Sequence, residues 1–338
     1  MIRVGLIGCG RIVEEGHAPA YEELADRFEV VALADPVEER RELMGSRFNL
    51  DRRAWFADYR DMLTAGELDL VDIAVPHFLH AEACIAAATA RIPILMEKPM
   101  ATTREECDAI MAAVRRDRIP ACIVHNYVRS AWVEAALHAI GNGAIGAPFL
   151  FRSEAMSPRS YPGAKDYDPD WRTRRSAGGG GALIDNGYHN LYTAVALLQS
   201  PVVEVYARLG TFVHKHDVED TAALLMTHAS DAISSVLVAW SGRSAQSVQE
   251  IHGSVGAIRV RGTGREQTVE LHTDDGVSAL ERPDPAAPLG FVSVFRDLAD
   301  ALETGGPVPF PFEMGYTNLQ VVFAAYESAR TGKSVTIG

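Results

Sequence analysis

Residues 2–12 read IRVGLIGCGRI, an apolar run from Ile2 to Ile7 followed at once by Gly8, Cys9 and Gly10. A nearly continuous apolar run of this length is the pattern of a strand buried on both faces of a parallel sheet. Glycines directly after it permit a tight strand-to-helix turn and let backbone N–H groups approach a pyrophosphate held on the positive end of the next helix. The third glycine of a GxGxxG pattern would fall at residue 13, which is Val13. The turn alone therefore fits either a steric need for glycine or a bound phosphate.

The same alternation repeats outward from this stretch. Apolar runs at 29–34, 70–75, 92–96 and 121–124 alternate with segments whose helices should start near Gly10, Pro36, Asp58, His80 and Thr103. Thr102 and Glu105 read as a capping box for the last of these, and Pro120 marks its end. Repeated strand–helix units predict an open, doubly wound α/β domain with right-handed crossovers. The pattern changes near Ala147. Segments 148–156, 202–213, 221–227, 233–240, 247–252, 257–261 and 267–272 mix apolar and polar residues, as in a large, open, mainly antiparallel sheet covered by helices on one face. A helix over 182–198 would supply that cover. Residues 274–289, with Pro283, Pro285 and Pro288, read as a connecting loop, and helices over 291–303 and 316–331 close the chain. The expected division is a cofactor domain at 1–125 and a substrate-binding and oligomerisation domain at 126–338, with the last helices packing back on the first.

Composition narrows the function class. The 338 residues are 47% hydrophobic and 23% charged, a balance that excludes disorder and collagen-like repeats and fits a two-domain globular protein. A net charge of −13 repels phosphate polymers and anionic membranes, so no nucleic-acid or membrane partner is expected. Four dispersed cysteines (Cys9, Cys84, Cys107, Cys122) form no CxxC pair and no zinc spacing, so no metal site is expected and a reducing cytoplasmic compartment is. The apolar opening is broken by Gly8 and Gly10 and carries no cleavage signal.

Three further stretches carry chemistry. Asp35 ends the second strand, 25 residues after Gly10, where a carboxylate can accept from an adenosine ribose; with no arginine directly behind it, NAD is expected over NADP. Asp35 with Pro36 would also serve as a plain helix cap. Glu97-Lys98-Pro99 ends a central strand in the crevice where open α/β sheets bind ligands. Lys98 is one of only four lysines among 32 basic residues, and lysine, unlike arginine, can be tuned to exchange a proton near neutral pH. An ordinary strand-end ion pair is the alternative. The third stretch is GGGGALIDNGYH at 178–189, where Asp185 and His189, four apart on a helix, share one face; a carboxylate beside an imidazole orients it for acid–base work. The glycines could equally be a connector, and His189 a satisfied core histidine.

Together these stretches resemble the glucose-fructose oxidoreductase and inositol dehydrogenase family, often written Gfo/Idh/MocA. The similarity runs through GLIGCGRI with His17, ADP at 34–36, VPHFLH at 75–80, EKP at 97–99, GGGALIDNGYHNL, and the late Glu327-Ser328-Ala329 with Gly332-Lys333. The resemblance implies an N-terminal Rossmann domain, a C-terminal α/β domain and a catalytic trio of Lys98, Asp185 and His189. It also implies that Pro76 and His80 lie beside the nicotinamide and that Asn126 follows the strand closing the cofactor domain. His77 stands in place of the usual asparagine, and Val128 where many members carry arginine.

The expected cofactor contacts are thus Gly8, Cys9, Gly10, Arg11, Ile12, Asp35, Pro76, His77, His80, Glu97, Lys98 and Asn126. Substrate contacts are expected from Lys98, Asp185, His189 and from Tyr161, Trp171 and Arg172 on the polar loop before the glycine run. The expected reaction is oxidation of a secondary hydroxyl of a neutral sugar or cyclic polyol. In it His189 takes the hydroxyl proton, Asp185 orients His189, and Lys98 hydrogen-bonds the same oxygen. NAD-dependent glycoside cleavage through transient redox, and dinucleotide sensing without turnover, are the competing readings within such a family. Apolar groups on both faces of 233–240 and 247–252 predict a homodimer or homotetramer formed through the C-terminal sheet.

Overall fold

The computed structural model describes residues 1–262 and 267–338. Its first layer is a six-stranded sheet of β1 (Ile2–Ile7), β2 (Phe28–Ala34), β3 (Trp55–Phe56), β4 (Leu70–Ile73), β5 (Ile94–Met96) and β6 (Ala121–Ile123). The order β3-β2-β1-β4-β5-β6 is parallel throughout. It is flanked by α1 (Ala18–Glu23), α2 (Glu38–Arg47), α3 (Tyr59–Ala65), α4 (His80–Thr89) and α5 (Arg104–Asp117). The order reverses between β1 and β4, so the loops after β1, β4 and β5 open onto one crevice.

The five apolar runs are these central strands: β1 matches its run, and the other four differ from theirs by a residue or two. The two-residue β3 went unpredicted because a strand so short has no periodicity to read. The capping box lies one residue later than expected. Thr103 accepts from the Glu106 N–H, and Glu106 reaches back to Thr103 N and also to Thr102 N and Oγ1.

The second layer begins after α6 (Ala131–Gly141), a helix the sequence reading did not mark. Its nine strands are β7 (Pro148–Met156), β8 (Val202–Gly210), β9 (Thr221–His228), β10 (Ile233–Ala239), β11 (Gln246–Gly253), β12 (Gly256–Arg261), β13 (Thr268–Thr273), β14 (Gly276–Ala279) and β15 (Val335–Thr336). They run in the order β14-β13-β12-β11-β7-β10-β9-β8-β15, antiparallel among the described pairs except for β7 with β10. β14 corrects the expectation of a plain loop at 274–289: Asp274 and Asp275 turn a hairpin with β13, and Gly276 at φ +125° opens the returning strand. One sheet face is covered by α6 and by α8 (Tyr188–Leu198), which the short α7 (Arg175–Gly178) precedes. The other face carries a charged row, Arg152, Glu250, Arg259 and Glu270, paired across four strands, with exposed Tyr206, Leu225 and Ile233 beyond it.

The closing helices α9 (Gly290–Thr304) and α10 (Phe312–Thr331) pack back on the first layer. Phe295 of α9 sits against Tyr21 and His17, Arg27 pairs with Asp300 and Glu303, and Ile123 N–H donates to Phe310 O at 2.8 Å. α10 also lies against β8, where the Ser328 hydroxyl accepts from Ala207 N–H, so one helix ties the two sheets together. No helix among the described residues is long and apolar enough to cross a membrane.

Candidate active site

The crevice holds two connecting cavities, of about 280 and 320 Å³, whose walls share Ile12, Val75, Tyr161 and Arg172. The first follows the β1 turn. Gly8 has φ +94°, and a Cβ there would lie 2.6 Å from Ala74 O, so only glycine fits. Gly10 faces open space, with nothing within 4 Å of where its Cβ would stand. Helical backbone starts directly after it, at residue 11. A turn that leaves room beside a helix start is the cradle a pyrophosphate needs, and the residues present fit NAD.

Asp35 lines the same cavity, and its carboxylate accepts from the N–H of Cys9 (2.8 Å) and of Val37 (2.9 Å). It braces the turn before α2 and forms part of the cavity wall, but it does not cap the helix, whose N-cap is Val37 without a side-chain cap; burial raises its pKa against the pull of those two donors. Arg11, Ile12 and Pro76 line the cavity as expected, but Cys9 does not: it is fully buried, with its N–H committed to Asp35.

The loop carrying Tyr161 to Arg172 covers the first cavity, which corrects part of the expected substrate set. Trp171 lines the first cavity and not the second, and it meets His77 edge-on at 4.6 Å. Tyr161 borders both cavities and donates its hydroxyl to Glu15 at 2.6 Å beneath the Arg11 guanidinium. Arg172 also borders both and stands 3.5 Å from Asp185.

The second cavity gathers Lys98, Asp185 and His189 with His77, His80, Glu97, Asn126 and Tyr127. Lys98 follows β5, and its Nζ donates to Asp185 Oδ1 at 2.8 Å and to the Asp185 carbonyl at 3.1 Å. Burial would raise the Asp185 pKa, but Lys98 and Arg172 outweigh it and hold the carboxylate well below its usual range. His189 does not share this pair. Its Nδ1 lies 2.7 Å from the Tyr192 hydroxyl, which also accepts from Tyr127 N–H, and its ring stacks on Tyr127 at 3.9 Å.

The expectation that Asp185 orients His189 is therefore corrected: the two share a cavity wall across the π turn Leu183–Gly187, but Asp185 is taken by Lys98 and His189 Nδ1 by Tyr192. Burial keeps His189 well below the ordinary imidazole value, with Lys98 adding to the effect and Asp185 opposing it, so the ring is neutral near pH 7.

Behind Lys98 stands a buried charge chain. His17 places Nδ1 2.8 Å from Asp72 and Nε2 3.0 Å from Glu97, whose other oxygen accepts from Lys98 N–H. Burial opposes charge on His17, but Asp72 and Glu97 outweigh it, pushing its pKa up to about 10. The Lys98-Pro99 bond is cis. His80 contacts Pro99 O at 2.7 Å and Val75 O at 2.9 Å, tying two strand-end loops together, while His77 Nδ1 faces Gly178 O. Tyr127 and Tyr192 were missed by sequence reading. Tyr192 lies three residues after His189, a spacing that could have marked it.

Comparison with known proteins decides the family. The oxidoreductase family profile with NAD-binding Rossmann fold matches residues 2–124, and the GFO/IDH/MocA C-terminal domain profile matches 133–259. The chain belongs to the GFO/IDH/MocA oxidoreductase family. It is 29% identical to D-apiose dehydrogenase of Paraburkholderia graminis over 98% of this chain and 88% of that one. To levoglucosan dehydrogenase of Pseudarthrobacter phenanthrenivorans it is 28% identical over 97% and 96%. A solved structure of levoglucosan dehydrogenase in complex with NADH and L-sorbose superposes with TM-score 0.88 at 28% identity, covering 100% of this chain and 99% of that one. GFO/IDH/MocA membership makes the chain an NAD-binding oxidoreductase with a Rossmann first layer.

Proposed function

We propose that the protein is an NAD-dependent dehydrogenase that oxidises a secondary hydroxyl of a neutral sugar or cyclic polyol, or reduces the corresponding ketone. The observation that carries this reading is the convergence of Lys98, Asp185 and His189 on one cavity that opens into the glycine-lined one. Its relatives' names, D-apiose dehydrogenase and levoglucosan dehydrogenase, and the neutral sugar beside NADH in the solved complex support a neutral substrate. NAD over NADP rests on Asp35, whose negative charge at the cavity wall opposes a 2′-phosphate.

Gly8, Gly10, Ile12, Asp35 and Pro76 would hold the dinucleotide, and Asn126, Glu97 and His80 would border its reactive end. The nicotinamide, when bound, supplies the hydride acceptor. The chain's own residues do the rest. His189, neutral through burial, carries its proton on Nδ1, donated to the Tyr192 hydroxyl throughout, and takes the substrate hydroxyl proton on Nε2. Lys98 hydrogen-bonds the same substrate oxygen and steadies its developing charge. Asp185 keeps Lys98 charged and aimed, and Arg172 shares the load.

Residues 1–125 would form the cofactor domain and 126–338 the substrate-binding one, with Lys98 and Asn126 acting across the boundary. Four free, buried cysteines suit a reducing cytoplasm. The uncovered face of the second sheet suits self-association as a homodimer or homotetramer. A screen of neutral sugars, inositols and amino sugars at the NADH absorbance band, run with NAD and with NADP, tests the reading. NADH formation that Lys98→Met abolishes supports it, and silence across the panel counts against it.

A further inference from the structure

A third cavity, of about 310 Å³, lies under the second sheet on the far side of α8 from the cofactor. It meets the reaction cavity at Tyr127 and Asn186, which belong to both walls. The π turn and α8 thus divide their side chains. Asp185 and His189 serve the reaction cavity, while Asn190 and Thr193 serve the other, and Asn186 faces both.

The lining is distinctive. Among the described residues it contains no charged side chain, and its polar groups are amides and hydroxyls, Asn186, Asn190, Gln246, Ser247 and Gln249 among them, beside the indole of Trp132. Among the described residues, a phosphate or carboxylate would find no cation there. Hydroxyl groups would find both donors and acceptors, and a C–H face would find an aromatic wall. Two polar groups lack protein partners. Gln249 is 5% exposed and donates from Nε2 to Ser247 at 2.6 Å, yet its buried Oε1 accepts nothing. Asn186 has its Oδ1 held by Trp240 Nε1 at 2.5 Å, which fixes the amide, and its Nδ2 makes no hydrogen bond among the described residues. An orphaned acceptor and a fixed donor in a neutral cavity call for a ligand that both donates and accepts.

We infer that this cavity is a subsite for a second neutral, hydroxyl-bearing ring, so that the preferred substrate is a glycoside or disaccharide rather than a free monosaccharide. The inference rests on the dehydrogenase reading above, since the ring in the reaction cavity is the one oxidised. The linkage to the second ring would cross the shared wall between Tyr127 and Asn186. Gln249 Oε1 would accept from one of its hydroxyls, and Asn186 Nδ2 would donate to an oxygen near the linkage.

The test compares neutral monosaccharides with neutral disaccharides and methyl glycosides on the NAD-loaded enzyme. At least one disaccharide should show a KM about tenfold or more below its parent monosaccharide. Gln249→Met should remove that advantage while leaving monosaccharide kcat/KM within about twofold. Gln246→Leu, at an exposed position, should do the same in lesser degree and guards against misfolding of the first variant. Disaccharides no better than monosaccharides, or variants that weaken both alike, would overturn the subsite. If no sugar reduces NAD, calorimetric titration of the same disaccharides into the NAD-loaded protein judges the cavity separately. Binding weakened by Gln249→Met sustains it, and no binding refutes it.

Discussion

Replacing Asp185 by asparagine isolates the pairing that separates this site from the one its sequence suggests. In the folded protein the carboxylate faces Lys98 at 2.8 Å and Arg172 at 3.5 Å, all three largely buried. Asp185→Asn leaves two cations in a poorly solvated cavity without a counterion, and breaking a buried pair from one side costs about 3–5 kcal/mol. At about 2.1 cal/mol/K per residue, 338 residues have an unfolding entropy of about 0.7 kcal/mol/K, so the cofactor-free protein should melt about 4–7 °C lower. Lys98→Met should lower it similarly, and the double variant should recover part of the loss, with a coupling of about 1–3 kcal/mol. The same cycle run between Asp185→Asn and His189→Gln should show coupling below about 0.5 kcal/mol, because Tyr192 and not Asp185 holds the imidazole. Scanning calorimetry of the four proteins in each cycle measures both numbers. Strong Asp185–His189 coupling together with additive Lys98 and Asp185 losses would refute the reasoning.

Three further outcomes follow from the same geometry. Tyr192→Phe removes the hydroxyl at His189 Nδ1 and should lower kcat about 10–100-fold while NAD affinity, measured by fluorescence titration, stays within about twofold. Gly10→Ala puts a methyl into open space and should weaken NAD binding about tenfold or more with no loss of melting temperature in the free protein; equal NAD affinity would displace the cofactor from this turn. His17, with a folded pKa of about 10 above its ordinary 6.5, contributes stability fully present below about pH 6.5 and lost as pH rises towards 10. The melting-temperature gap between wild type and His17→Gln should therefore narrow over that range, and a constant gap would show His17 to be uncharged in the fold.

How much of this was legible in the sequence depends on the length scale of each signal. The buried parallel strands announce themselves because both faces are apolar, as at Ile2–Ile7 and Leu70–Ile73, and glycines at 8 and 10 mark the turn that a ligand or a tight crossing needs. Lys98 stood out as one of four lysines at a strand end, and Asp185 and His189 through their i,i+4 spacing after the glycine run. Their pairing did not, because Lys98 and Arg172 reach Asp185 from other segments and Tyr192 takes His189 Nδ1, contacts that spacing within one helix does not reveal. Partners remote in sequence were also invisible: Glu97 is 80 residues from His17, and Arg172 reaches Asp185 through a loop with no periodicity. The covering loop misled in the same way. Its aromatic residues read as a pocket mouth, but folding lays Trp171 over the cofactor cavity.

The central claim is that Lys98 and His189 act on a neutral sugar hydroxyl beside NAD. The most direct measurement is NADH formed per substrate consumed, followed at the NADH band for wild type, Lys98→Met and His189→Gln with NAD affinity measured alongside. The account predicts one NADH per neutral sugar or polyol oxidised by wild type. It also predicts losses of about 100-fold or more in kcat for either variant with NAD affinity nearly intact. Product released without NADH, or an unchanged kcat in Lys98→Met, would contradict it.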